Sequence, residues 1–116
     1  MSVIQVSQRT APVPITVFQL LERVTLDNFA EVERITKDEH KNGMQRLVLD
    51  LSPLDSISSI GVRAIVVMHK ILAAEGGNPL KLAGVSPSIQ EVLRIAGITK
   101  FIDIFDSVED AVGSFQ

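Results

Sequence analysis

The run Leu47–Leu51, LVLDL, limits how this chain can fold more than any other stretch. An almost continuous apolar run of that length reads as a strand buried on both faces, as parallel strands usually are. The residues downstream fit that reading. Ile60–Glu75 is a long apolar helix that ends at Gly76-Gly77, and Leu80–Ala83, LKLA, is another short strand. Ser86-Pro87 opens the next helix, with serine as a natural cap and proline in the first turn. That helix runs through IQEVLRIA and stops at Gly97. Phe101–Phe105, FIDIF, reads as a last strand, and Asp106-Ser107 caps a terminal helix, VEDAVGSF. Strands and helices therefore alternate from residue 45 onward.

The first third of the chain reads differently. Val3–Val6 is a short alternating segment, cut off by Pro12 and Pro14, and Ile15–Leu21 is β-branched and aromatic enough to be a strand. A helical pattern begins near Asp27, where Phe29, Val32, Ile35 and Thr36 fall on one side and charge covers the other. Asn42-Gly43 supplies its stop. Two strands packed together, then alternation, predict an α/β sandwich: a mixed, mostly parallel central sheet of about five strands with about four α-helices. The sequence has no internal repeat, low-complexity segment or linker, which predicts one domain over residues 1–116.

Composition narrows the function classes. Hydrophobic residues make up 46% and charged residues 22%, enough for a real core and unlike a disordered tail. The eleven Lys and Arg are scattered, the formal net charge is −3, and Trp and Tyr are absent, which disfavours direct nucleic-acid binding. Without cysteine there is neither a disulfide nor a thiolate metal site. The opening MSVIQVSQRTAPVP lacks the basic and long apolar regions of a signal peptide, and no apolar run approaches the ~20 residues needed to insert in a membrane. A cytoplasmic protein is expected.

Catalytic motifs are hard to find. Gly76-Gly77 follows a helix rather than preceding one, so it reads as a cap and not as a phosphate loop. His40 sits among KDEHK on a solvated helix face, and His69 lies in an apolar helix without a sequence-near carboxylate, so neither a metal site nor a triad is predicted. SSIG resembles a nucleophile elbow but lacks the glycine two residues before the serine. Asp103 and Asp106 read as strand-edge and capping residues. No catalytic residue, metal ligand or cofactor is assigned.

The stretch LDSISSIGVRA, residues 54–64, remains to be explained. At about 100° per residue, Ser59, Arg63, Val66, Val67 and Lys70 share one side of the helix, and Gly61, Ile65, Met68 and Leu72 share the opposite, core side. Val62, Val66 and Val67 place apolar surface beside the polar groups, a mixture that suits docking. The same residues also suit a plain helix start: Ser58 or Ser59 as N-cap, worth roughly 1 kcal/mol, Gly61 for close packing on the sheet, and Arg63 as a surface charge. The amides and dipole at a helix N-terminus also tolerate a phosphate well. Phosphate on Ser59 would add roughly −1.5 to −2 charges without unfolding the domain, with Arg63 one turn below.

VLDLSPLDSISSIGVRAIVVMHK resembles the phosphorylation-site region of the STAS domain family, specifically the stand-alone bacterial anti-sigma factor antagonists. The resemblance extends over most of the chain: an opening strand pair, LVLDL, the strand at LKLAGVS and the closing FIDIFDSVEDAV fall in the family's order. The motif maps onto Asp50-Leu51, a loop to Ile57, then Ser58, Ser59, Ile60 and Gly61, and Arg63 matches one common variant. Two departures stand out. Ser58 occupies a position where many members carry aspartate, the nearest here being Asp55. ERVTLDNF lacks the glycine that members often show before the first helix, in a region that usually contributes to partner contact.

The resemblance implies a non-enzymatic, partner-switching regulator, monomeric or weakly dimeric. Unphosphorylated, it would bind an anti-sigma factor that is also a serine kinase of GHKL type, releasing a sigma factor. Phosphorylation of Ser59 would weaken the complex, and a metal-dependent serine phosphatase of PPM type would restore it. Asp55, Ser58, Ile60, Gly61, Val62, Arg63 and Val66 would form the docking surface around the acceptor. Two other classes stay open: a scaffold subunit of a signalling or transport assembly, and a module binding a nucleotide or small ligand at the same loop.

Overall fold

The computed structural model describes residues 2–10 and 12–115; Met1, Ala11 and Gln116 lie outside the described residues. Its five strands are β1 (Ile4–Arg9), β2 (Ile15–Leu20), β3 (Leu47–Asp50), β4 (Leu80–Ala83) and β5 (Asp103–Phe105). They lie side by side in chain order in one sheet. β1 and β2 form an antiparallel pair, and every later neighbour is parallel. Four α-helices accompany them: α1 (Phe29–Lys41), α2 (Ser59–Leu72), α3 (Pro87–Ile95) and α4 (Val108–Gly113). The mixed, mostly parallel sandwich expected from the alternation is the architecture found.

Period-two alternation divides β3 between two cores. Leu47 and Leu49 point into the larger one, with Phe18, Leu80 and Leu82 from the neighbouring strands and Val32, Ile65, Met68, Leu72, Ile89 and Leu93 from α1, α2 and α3. Val48 points the other way, to Ile15, Val17, Ala83 and the residues Ala111, Val112 and Phe115 at the chain's end. All four β3 side chains are buried, which is why LVLD shows no polar alternation. Lys81 is a buried cation on the α4 side, and its ammonium lies over the Phe105 and Phe115 rings at 5.4 and 4.7 Å.

Element boundaries differ from the expectations at definite places. β1 extends to Arg9 rather than ending at Val6, because six consecutive residues pair with β2. α1 begins at Phe29, and the Asn28 side chain, instead of capping it, accepts from Thr25 N–H and donates to the Arg23 carbonyl. The long helix expected over residues 60–75 starts one residue earlier, at Ser59, and closes at Leu72; Ala73–Glu75 tightens into a 3₁₀ turn. Phe101 and Ile102 are not strand residues. After Gly97, in the left-handed region at φ 81°, Ile98–Lys100 forms a 3₁₀ turn whose Ile98 carbonyl accepts from both Phe101 and Ile102 N–H, so β5 is left with three residues.

Candidate functional site

The β3–α2 connection is built around Asp50. Its carboxylate accepts from Gln19 Nε2 and from Ser52 N–H, both at 3.0 Å, and the second bond turns the chain out of the sheet. Leu51 and Leu54 are buried and Ile57 packs against the same core, so the loop is pinned at three apolar points. On its far side the Asp55 carbonyl accepts from the Ser88 hydroxyl of α3 at 3.0 Å. The loop thus enters α2 along one path, and the serine pair stands at the end of it.

The two serines occupy different environments. Ser58 is extended at φ −91° and ψ 168° and is the N-cap: its Oγ accepts from Gly61 N–H at 3.1 Å. The same hydroxyl donates to the Val24 carbonyl at 2.8 Å. Ser59 is the first helical residue and is exposed, and among the described residues no group hydrogen-bonds its hydroxyl.

The other predicted residues fall around this point. Ile60, Val62 and Val66 are half-buried at the margin of the larger core, and Asp55 and Arg63 are exposed. Gly61, Ile65, Met68 and Leu72 are buried as the core stripe, joined by Ala64. Arg63 does not simply project into solvent: its guanidinium carbon stands 5.7 Å from the centre of the Phe29 ring of α1, which keeps it on the α1 side of the helix. His69 packs its ring 5.0 Å from Phe101, a structural contact at the far end of α2. Among the described residues no cluster of His, Asp and Glu could hold a metal ion, and no helix is long and apolar enough to cross a membrane.

Gly61 is demanded by packing rather than by backbone conformation. A Cβ there would stand 2.6 Å from Ile57 Cγ1 and 3.2 Å from its Cδ1. In wild type, Gly61→Ala is therefore expected to cost about 1 kcal/mol, because overpacking outweighs the gain in helix propensity. In an Ile57→Ala background the clash disappears, and the same change should stabilise by up to about 1 kcal/mol. A double-mutant cycle by urea unfolding checks the sign reversal; equal costs in both backgrounds would exclude Ile57 as the constraint.

Leu26 went unrecognised in the sequence. It is 83% exposed, in the loop that precedes α1, and Leu21 at the start of that loop is exposed too. Val24 between them is buried, and it is the residue whose carbonyl Ser58 holds. A leucine between threonine and aspartate in VTLDN was the readable signal: an apolar residue with no periodic partner.

A sheet with one antiparallel pair and otherwise parallel strands in sequential order, three helices on one face, a fourth on the other, and a serine opening α2 after a buried β3 define a class. The model of the STAS domain matches residues 7–111, and the chain belongs to that family, among the anti-sigma factor antagonists. BtrV of Bordetella bronchiseptica, named as a candidate anti-sigma factor antagonist, is 33% identical over 89 residues, 77% of this chain and 76% of BtrV. Solved structures share the fold. A candidate anti-sigma factor antagonist from Thermotoga maritima superposes with a TM-score of 0.83 at 19% identity, covering 95% of this chain and 92% of that one. The phosphorylated form of the Bacillus cell fate determinant SpoIIAA superposes with a TM-score of 0.70 at 15% identity, covering 97% and 100%.

Proposed function

We propose that this chain switches partners through phosphorylation of Ser59. Unphosphorylated, it binds an anti-sigma factor that is also a serine kinase of GHKL type, and a sigma factor is released. The phosphorylated form binds that partner weakly, and a PPM-type serine phosphatase resets it. The chain itself catalyses nothing in this cycle. Asp55, Ser58, Ile60, Val62, Arg63 and Val66 form the surface the partner covers; Gly61, also expected there, is buried on the core side of α2 and lies behind it.

One observation carries the choice of acceptor: the Ser59 hydroxyl is exposed and unbonded, whereas the neighbouring Ser58 hydroxyl both accepts and donates in the fold. A kinase can take Ser59 without breaking a contact, and a phosphate there meets the positive end of α2. Incubated with ATP and a lysate of its own host, the purified chain is expected to gain a single phosphate, located on Ser59 by mass spectrometry. Ser58→Ala should still be modified and Ser59→Ala should not. Phosphate found on Ser58, or full modification of Ser59→Ala, would overturn the assignment.

A further inference from the structure

Of the residues most favoured at a helix N-cap, ionised aspartate can only accept hydrogen bonds and glycine has no side chain, whereas serine, threonine and asparagine can accept and donate at once. Ser58 uses both capacities. The lone pair that caps α2 through Gly61 N–H is common to any of the polar caps, but the proton given to the Val24 carbonyl is a bond that an ionised carboxylate at this position cannot form. That bond joins segments 34 residues apart in sequence.

The segment it reaches is braced from within. Asn28 holds residues 22–25 through Thr25 N–H, the Arg23 carbonyl and Glu22, and the Thr25 hydroxyl accepts from Asp27 N–H. Residues 22–28 are thus cross-braced by their own hydrogen bonds, with Val24 as the buried apolar foot and Leu26 as the exposed tip. From the helix side, the Ser58 hydroxyl ties Val24 of that segment to the residue before Ser59.

We infer that Ser58 is a positioning residue: its proton latches the 21–28 loop to the start of α2, so that a protein partner meets Leu26 and Ser59 as one preformed surface. The inference rests on the reading of Ser59 as the centre of a partner-binding surface. It assigns to the serine at position 58 a function that aspartate could not perform, and it separates the cap from the latch within one side chain.

Ser58→Gly tests it on the full chain. Glycine is tolerated as a cap and brings no charge beside Ser59, but it has no proton to give; Ser58→Thr keeps both capacities. Hydrogen exchange of the unphosphorylated protein is expected to rise about tenfold at the amides of residues 25–29 in Ser58→Gly, with the core strands unchanged, and to match wild type in Ser58→Thr. Affinity for the anti-sigma kinase that wild type retains should fall about tenfold in Ser58→Gly and recover in Ser58→Thr. Unchanged exchange at residues 25–29 would overturn the latch. Raised exchange with wild-type affinity would overturn its role in recognition. If wild type itself retains no such kinase, the partner-switching reading fails, and the exchange data still judge the latch.

Discussion

Ser59→Asp is expected to weaken binding of the anti-sigma kinase by at least about a hundredfold, equivalent to about 2.7 kcal/mol, and to leave the fold untouched. The two halves of that result have separate causes. Covering Ser59 with a partner would strip water from a carboxylate for which the docking surface offers no partner fixed in place. Arg63, one turn on, is already engaged over the Phe29 ring. An uncompensated buried charge costs several kcal/mol, so a hundredfold is a modest expectation. Stability moves the other way: Ser59 is exposed in the first turn of α2, and an acidic group there gains roughly 0.3–1 kcal/mol from the helix dipole. Calorimetric titration of the two forms with the isolated kinase, beside their thermal unfolding curves, checks both halves. Equal affinities for Ser59→Asp and wild type would reduce Ser59 to an ordinary helix-start residue.

The sheet was legible because burial on two faces leaves a distinctive trace. LVLDL and LKLA have few polar positions and read as interior strands, and Ser86-Pro87 after LKLA marks where α3 starts. The ends of elements were less legible, since they are decided by competition for single hydrogen bonds. FIDIF has the composition of a strand throughout, yet Phe101 and Ile102 are claimed by the Ile98 carbonyl one turn earlier. The helical pattern reads from near Asp27, but α1 starts at Phe29 because the Asn28 amide is committed to the loop before it.

The candidate site divides in the same way. Helix periodicity alone placed Ser59 outward and Gly61, Ile65, Met68 and Leu72 inward, because α2 is regular from its first residue. The division of labour between Ser58 and Ser59 was not readable, since both suit an N-cap and the choice turns on a carbonyl 34 residues upstream. Leu26 was missed for a related reason: it follows no period, and its exposure in the loop before α1 depends on where Val24 is buried. Long-range contacts through backbone atoms leave no pattern in the side chains.

Gly84→Ala should be the most damaging small substitution on the sheet side of the site, lowering stability by about 3 kcal/mol, which for a chain of this size is a fall in Tm of roughly 10 °C. Gly84 follows β4 at φ 65°, a conformation that costs an alanine roughly 1–2 kcal/mol. The added methyl also has nowhere to go. It would lie 2.9 Å from Asp50 Oδ1, 3.0 Å from Ser52 Cβ and 3.3 Å from Ser52 N. Asp50 cannot swing aside cheaply, because its carboxylate holds Gln19 Nε2 and Ser52 N–H, and leaving such groups unpaired costs about 1–3 kcal/mol. Gly77→Ala is the control: its φ of 62° is equally unfavourable, but nothing lies within 4 Å of the added carbon. It should cost no more than about 1–2 kcal/mol. Urea unfolding of the two variants therefore separates backbone strain from the contact with Asp50. If they are equally destabilised, the Asp50–Ser52 turn is not what fixes the path from β3 to Ser59.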